Sequence, residues 1–323
     1  MKLPDEIQFI NSAFQTQKTT DVRMDGKVSI ITGATSGVGY QAARRLAEGG
    51  ASLVLVCRNS EKANALRKEF IQKYASDVEI VLADFSKLSD VRKAADFILK
   101  KFQRIDVLVN NAGLHRTTRI LTEEGHETVF CVNHLASYLF TRLLLDRMIK
   151  NAPARIIQVN SEGHRFGGLD LDDLTWSRRH YIGLQGYGAS KVAQLLTVWE
   201  FADILAGTGV TINAMHPGTV KTNIGMDNGP LYRWFHRLFV RPLLRKPDIS
   251  GEAIYYLAAA PEMQNVSGKF FNQTVEETPM PHALDREFGK SVWQVSEELT
   301  GLPKLELAGS LIKMTDPVSF LLT

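Results

Sequence analysis

Thr32-Gly33-Ala34-Thr35-Ser36-Gly37-Val38-Gly39 is a glycine-rich turn. Before it runs Lys27-Val-Ser-Ile-Ile-Thr32, a short β-branched apolar stretch that reads as a buried strand. After it runs Tyr40-Gln-Ala-Ala-Arg-Arg-Leu-Ala-Glu48, with apolar residues at helical spacing. Strand, glycine turn and helix in this order form a phosphate-binding context. Gly33 permits the tight turn, Gly37 lets the backbone approach a pyrophosphate, and Gly39 lets the helix pack close to the sheet. The helix start at Thr35, Ser36, Gly37 and Val38 then supplies N–H groups and a positive dipole end. The alternative is a glycine loop with no ligand, which the flanking elements disfavour.

Strand and helix patterns alternate onward from Lys27, predicting one parallel sheet with helices on both faces. The predicted strands are Ala51 to Cys57, Val78 to Ala83, Ile105 to Val109, Ala154 to Asn160, Val210 to Met215 and a short one near Lys269. Helices are predicted from Ser60 to Tyr74, Leu88 to Phe102 and Glu123 to Lys150, and a further one around Tyr187.

That last helix carries Tyr187-Gly-Ala-Ser-Lys191. Tyr and Lys four apart share one helix face. A phenol has a reference pKa of about 10, and a neighbouring ammonium favours the phenolate. The expected product is an acid/base poised near working pH. Alone the spacing is weak, because surface helices produce it by chance. Its weight comes from the glycine turn and from further motifs in order: Asn110-Asn111-Ala112-Gly113, Asn133 within Val129-Phe-Cys-Val-Asn-His134, Ser161 after a strand, and Pro217-Gly218 followed by Thr222.

With these motifs the chain resembles the short-chain dehydrogenase/reductases over roughly Lys27 to Gln273. Within that family it is most similar to retinol-dehydrogenase-like members. The long gap from Ser161 to Tyr187, the segment Val266-Ser-Gly-Lys-Phe-Phe271 and Trp293-Gln-Val-Ser-Glu-Glu-Leu299 carry that likeness. Light-dependent protochlorophyllide reductase is a more distant resemblance. The resemblance implies a Rossmann-type doubly wound α/β fold with a seven-stranded parallel sheet in the order 3-2-1-4-5-6-7. It implies an N-terminal arm over 1–26, a catalytic domain over 27–275 with a substrate lid at about 223–247, and a C-terminal extension over 276–323.

The same resemblance implies the chemistry. A hydride passes between a nicotinamide and a carbonyl or alcohol carbon, and Tyr187 exchanges a proton with the substrate oxygen. Ser161 hydrogen-bonds that oxygen. Lys191 lowers the Tyr187 pKa and reaches the nicotinamide ribose, and Asn133 holds a water that links Lys191 to solvent. Cofactor contacts carried over are Gly33, Thr35, Ser36, Gly37, Val38, Gly39, Asp84, Phe85, Asn111, Ala112, Gly113, Tyr187, Lys191, Pro217, Gly218, Val220 and Thr222. Blander readings stand beside these. Ser161 is a turn serine, Asn133 a structural helix amide, and Asp84 an N-cap or turn carboxylate. His164 lies close to Ser161, but no nucleophile elbow is present, so a Ser–His pair is not expected.

After the second strand an NAD-preferring site offers an acid to the ribose 2′-OH. Cys57 stands there, followed by Arg58. A guanidinium pairs with a 2′-phosphate, at about 1.5–3 kcal/mol per charge-assisted hydrogen bond. NADP(H) is therefore the preferred cofactor and NAD(H) the alternative. Arg58 as an ordinary surface residue is the competing reading, and Arg44 and Arg45 are further basic candidates. Ser36 occupies a position where many NADP enzymes of the family place a second basic residue.

Beyond Pro217-Gly218, Arg233, Arg237, Arg241 and Arg245 recur every four residues beside Trp234 and Phe235. One reading is an amphipathic helix closing the site. The sharper one is a basic aromatic lid that admits a hydrophobic substrate through Trp234 and Phe235, or rests on a membrane surface. A chain of 323 residues with a formal charge of +3 has room for a full core and too little charge to imply nucleic acid. Cys57 and Cys131 lack metal-ligand spacing, so buried thiols in a reducing compartment are expected and no metal site. Asp170, Asp172 and Asp173 read as a solvated loop. Met1 to Asp25 carry no run apolar enough for a signal peptide or membrane helix. The expectation is a cytoplasmic enzyme, monomeric or homodimeric, with peripheral membrane contact as an option. It is an NADP-dependent oxidoreductase acting on a bulky lipophilic carbonyl or alcohol. The alternatives are a non-enzymatic dinucleotide-sensing or scaffold protein on the same fold, or a reductase of a pigment or secondary metabolite.

Overall fold

The computed structural model of the chain describes residues 15–218 and 248–305. The apolar runs form β1 (Val28–Thr32), β2 (Ser52–Cys57), β3 (Val78–Leu82), β4 (Val107–Asn110), β5 (Ala154–Val159), β6 (Val210–His216) and β7 (Phe270–Asn272). These seven are parallel and lie in the order 3-2-1-4-5-6-7. An eighth strand, β8 (Val275–Glu276), pairs antiparallel with β7 and extends the expected seven. Its hairpin turns at Gln273, which takes φ 58°. Glutamine there lacks the Asn-Gly or Gly signature by which such a turn is read from sequence.

Between the strands run α1 (Gly37–Glu48), α2 (Ser60–Tyr74), α3 (Leu88–Lys101), α4 (Thr128–Lys150), α5 (Gly183–Ile204), α6 (Asp248–Ala259) and α7 (Arg286–Thr300). Successive side chains of a strand point to opposite faces. Ile30 accordingly joins Val54, Leu108 and Ile156 in a core shared with Val91, Leu144 and Leu195 of α3, α4 and α5. Ile31 joins Leu55, Val109 and Ile157 in a second core with Leu46, Phe70 and Ile254 of α1, α2 and α6. This double covering is what makes the strands read as continuous apolar runs.

α4 begins five residues later than its apolar pattern predicts. Thr122 N donates to His126 O (2.8 Å), closing a turn. The Glu127 carboxylate then accepts from Val129 N (2.9 Å) and Phe130 N (2.8 Å), capping the helix there. α4 is long and apolar enough to cross a membrane, and 94% of its apolar window is buried inside this fold. Over Cys131–Leu135 it widens into a π turn. The extension after β8 is ordered as α7, capped by Asp285, whose side chain accepts from Phe288 N (3.0 Å). Trp293 of α7 packs edge-on against Tyr138 (5.0 Å) and Phe201 (4.7 Å), and so joins the α4–α5 core. The apolar end Pro317 to Thr323 lies outside the described residues.

Candidate active site

The glycine turn, the start of α1 and the Asn110–Gly113 loop fit together with no space to spare. Gly33 takes φ +70°, and a Cβ on it would lie 3.0 Å from Ala112 Cα. A Cβ on Gly39 would lie 2.4 Å from Asn111 Nδ2 and 2.5 Å from Gly33 O. Gly39 thus clears the turn itself, where close packing on the sheet was expected. Asn111 clasps the turn: its Nδ2 donates to Thr32 O (2.8 Å) and Gly33 O (3.2 Å). Asn111 N and Ala112 N each donate to Thr32 Oγ1 at 2.9 Å. Ser36 is extended and makes no side-chain cap, and α1 has no acid in its first turn. The leading N–H groups of α1 are therefore left for an anion, and Gly33 to Val38 fit a dinucleotide pyrophosphate.

Arg58 follows β2 directly and is exposed. Arg44 and Arg45 have partners on their own helix and on α6. Arg44 pairs with Glu48 (2.7 Å). Arg45 pairs with Glu252 (2.9 Å) and stacks over Tyr255 (3.9 Å). Asp84 does hold a turn, since its Oδ1 accepts from Ser86 N (2.9 Å) and Ser86 Oγ (2.8 Å). The Phe85 ring belongs to the core, edge-on to Phe140 at 5.8 Å, so only its backbone could serve a cofactor. Pro217 and Gly218 follow β6, with Pro217 O accepting from Ser250 Oγ (2.7 Å). Val220, Thr222, Trp234, Phe235 and the lid at 223–247 lie outside the described residues.

Ser161, Tyr187, Lys191 and Asn133 come from three elements and meet at the C-terminal ends of the strands. Ser161 leaves β5, and its Oγ accepts from Gly163 N (3.0 Å). The Tyr187 ring and Ser161 Oγ lie side by side against Gly163. Both residues are half-buried. The Tyr187 ring lies on Gly163, where a Cβ would come within 2.5 Å of Tyr187 Cε1. His115 packs edge-on against the same ring at 5.8 Å. Lys191 is 4% exposed, and its Nζ donates to Val159 O (3.1 Å) and Gln194 Oε1 (2.9 Å).

One expectation is corrected here. Tyr187 was expected to have a lowered pKa because of Lys191. Burial instead raises it, and the Ser161 side chain opposes the rise. Lys191 is itself pushed down to about 7 by burial, which weakens its hold on a phenolate. The Asn133 carbonyl accepts from Gln194 Nε2 and from Ser137 Oγ (2.9 Å). Its side chain ties down the Asn111 loop, with Oδ1 accepting from Leu114 N (2.8 Å) and Nδ2 donating to Leu114 O (3.0 Å).

Two other candidates have structural partners. His164 is buried, with Nδ1 on Ser161 O (2.8 Å) and not on its hydroxyl. Asp173, expected in a solvated loop, is instead buried: it accepts from Ser177 N (2.7 Å) and pairs with Arg179 (3.5 Å). No group of three metal-ligating side chains occurs among the described residues. Gly163, His115 and Gln194 escaped the sequence reading. Only Gln194, three residues past Lys191, was placed to be noticed.

The geometry agrees with what the chain is similar to. The sequence profile described as short chain dehydrogenase matches residues 27–231. Retinol dehydrogenase 13 of Homo sapiens is 38% identical over 86% of this chain and 85% of its own length. A 3-ketoacyl-(acyl-carrier-protein) reductase from Brucella melitensis, solved with NADH, superposes with a TM-score of 0.59 at 29% identity, over 77% of this chain and 96% of that one. An alcohol dehydrogenase from Thermococcus sibiricus, solved with 5-hydroxy-NADP, gives a TM-score of 0.60 at 26% identity, over 79% and 99%. A sheet in the order 3-2-1-4-5-6-7, a glycine turn clasped by Asn111, and Ser161 and Tyr187 in contact at the strand ends therefore have their explanation in descent: the chain belongs to the short-chain dehydrogenase family of oxidoreductases, with retinol dehydrogenases among its relatives.

Proposed function

We propose that this oxidoreductase uses NADP(H) to interconvert a carbonyl and an alcohol on a bulky lipophilic substrate, with Tyr187 as the general acid/base. The observation that carries the reading is the convergence of Tyr187 and Ser161 on Gly163 beside the buried Lys191. The nicotinamide, when bound, supplies or accepts the hydride. The chain's residues do the rest. Gly33, Thr35, Ser36, Gly37 and Val38 hold the pyrophosphate on backbone N–H groups. Arg58 meets the 2′-phosphate, and Lys191 the nicotinamide ribose. Tyr187, kept protonated by burial, has a proton to give to a substrate oxygen. Ser161 is placed to stabilise charge on that same oxygen. The lipophilic substrate rests on the likeness to retinol dehydrogenases and on the aromatic residues Trp234 and Phe235 of the lid sequence.

The test assays purified protein with NADPH against small and bulky aldehydes, ketones and retinoids, wild type beside Tyr187→Phe. Turnover should favour bulky carbonyls, and Tyr187→Phe should lower kcat by at least ~10²-fold while NADPH affinity stays nearly unchanged. Near wild-type turnover in Tyr187→Phe overturns the mechanism.

A further inference from the structure

Gln194 is 2% exposed and joins three elements of the site. Its Oε1 accepts from Lys191 Nζ (2.9 Å) and from Asn160 Nδ2 (3.1 Å). Its Nε2 donates to Asn133 O in the π turn of α4. This orientation of the amide is the one that satisfies its neighbours. Turned over, its NH₂ would face an ammonium and another NH₂, and its oxygen would face a carbonyl oxygen. Asn160 is fixed in turn, with its Oδ1 accepting from Ser161 N (2.8 Å).

We infer that Gln194 is a positioning residue that clamps the Lys191 ammonium, keeps it charged and ties it to the π turn carrying Asn133. The inference rests on the functional reading above, in which Lys191 meets the nicotinamide ribose.

The charge on Lys191 depends on few groups. Among the described residues its ammonium has two hydrogen-bond acceptors, Val159 O and Gln194 Oε1. The titratable side chains that face it are Tyr187, one turn back on α5, and His216 at the end of β6. Burial raises the Tyr187 pKa, and burial first of all pushes His216 down to about 3. Both are therefore neutral near pH 7, and among the described residues no carboxylate contributes to holding the ammonium, which burial pushes down to about 7. The charged form of Lys191 is present below its pKa and is lost as pH rises through it. Removing the Gln194 carbonyl lowers that midpoint, and placing a carboxylate there raises it.

The test measures the dissociation constant of NADPH and kcat as functions of pH for wild type, Gln194→Leu and Gln194→Glu. Wild-type affinity should weaken toward alkaline pH with one midpoint. Gln194→Leu should move the midpoint down by about one pH unit or more, and Gln194→Glu should move it up by a similar amount. The carboxylate of Gln194→Glu also faces the Asn133 carbonyl, so overall affinity falls while the midpoint still rises. Gln194→Glu preserves shape and decides the matter if Gln194→Leu does not fold. An unchanged midpoint in a folded, NADPH-binding variant overturns the clamp and leaves the functional reading intact. A wild-type protein that does not bind NADPH overturns both.

Discussion

The ring of Tyr187 rests on the α-carbon of Gly163, so close that a Cβ there would stand 2.5 Å from Tyr187 Cε1 and 2.7 Å from Cδ1. Gly163 also donates its N–H to Ser161 Oγ (3.0 Å), so one residue fixes both partners of the hydroxyl pair. Real Cβ atoms do not approach ring carbons this closely, and a methyl group at 163 must displace the ring or the turn. Gly163→Ala should lower kcat about 10²-fold, the cost of misplacing a reacting group by about an ångström. Cofactor affinity should hold, because the pyrophosphate cradle around Gly33 is built from other elements. Steady-state kinetics beside an NADPH titration checks this. Unchanged kcat would mean that the ring has room to move.

Cofactor choice has a sharper test now that Arg44 and Arg45 are seen to be engaged with Glu48 and Glu252. Arg58, exposed directly after β2, is the contact proposed for a 2′-phosphate. Arg58→Asp should reduce the preference for NADPH over NADH by about ten- to a hundredfold, the equivalent of one charge-assisted hydrogen bond. The carboxylate repels a 2′-phosphate and accepts from a 2′-OH. Titrating both cofactors against both proteins reads the ratio directly. An unchanged ratio would move the phosphate contact away from the end of β2.

What could be read from the sequence was local. Val28–Thr32, the glycine turn and α1 follow one another along the chain, so period and turn chemistry suffice to find them. The same holds for Ser60–Tyr74, whose start is marked by the capping Asn59. Gly163 shows nothing in sequence, because its constraint comes from a ring on α5 that reaches it only in the folded chain. β8 is silent because Gln273 takes a left-handed turn without glycine. The spacing of Tyr187 and Lys191 was legible, but their charge states were not. Those depend on how far each is buried, which the helix pattern does not record: α5 is apolar nearly all round. Glu297 illustrates the same limit. It stands in a segment notable in sequence for likeness alone, and its partner Arg142 is 155 residues away.

That pair carries the last expectation. Arg142 is fully buried and Glu297 nearly so, with 2.8 Å between Arg142 Nη1 and Glu297 Oε1. The same carboxylate oxygen accepts from Trp293 Nε1 (3.0 Å) and Leu305 N (3.0 Å), so it organises the end of α7 as well as the ion pair. Two charges taken out of water gain little over a well-packed apolar pair, but one left alone is costly. Glu297→Ala strands the guanidinium and should cost about 3–5 kcal/mol. For a chain of this length that is roughly 4–7 °C in Tm. The double variant Arg142→Met/Glu297→Leu removes both charges and should recover most of the loss, because the stranded charge is its main source. Thermal unfolding of the two variants beside wild type decides it. If the double variant is as unstable as Glu297→Ala, the carboxylate matters for the backbone and indole it holds, and not for the charge it neutralises.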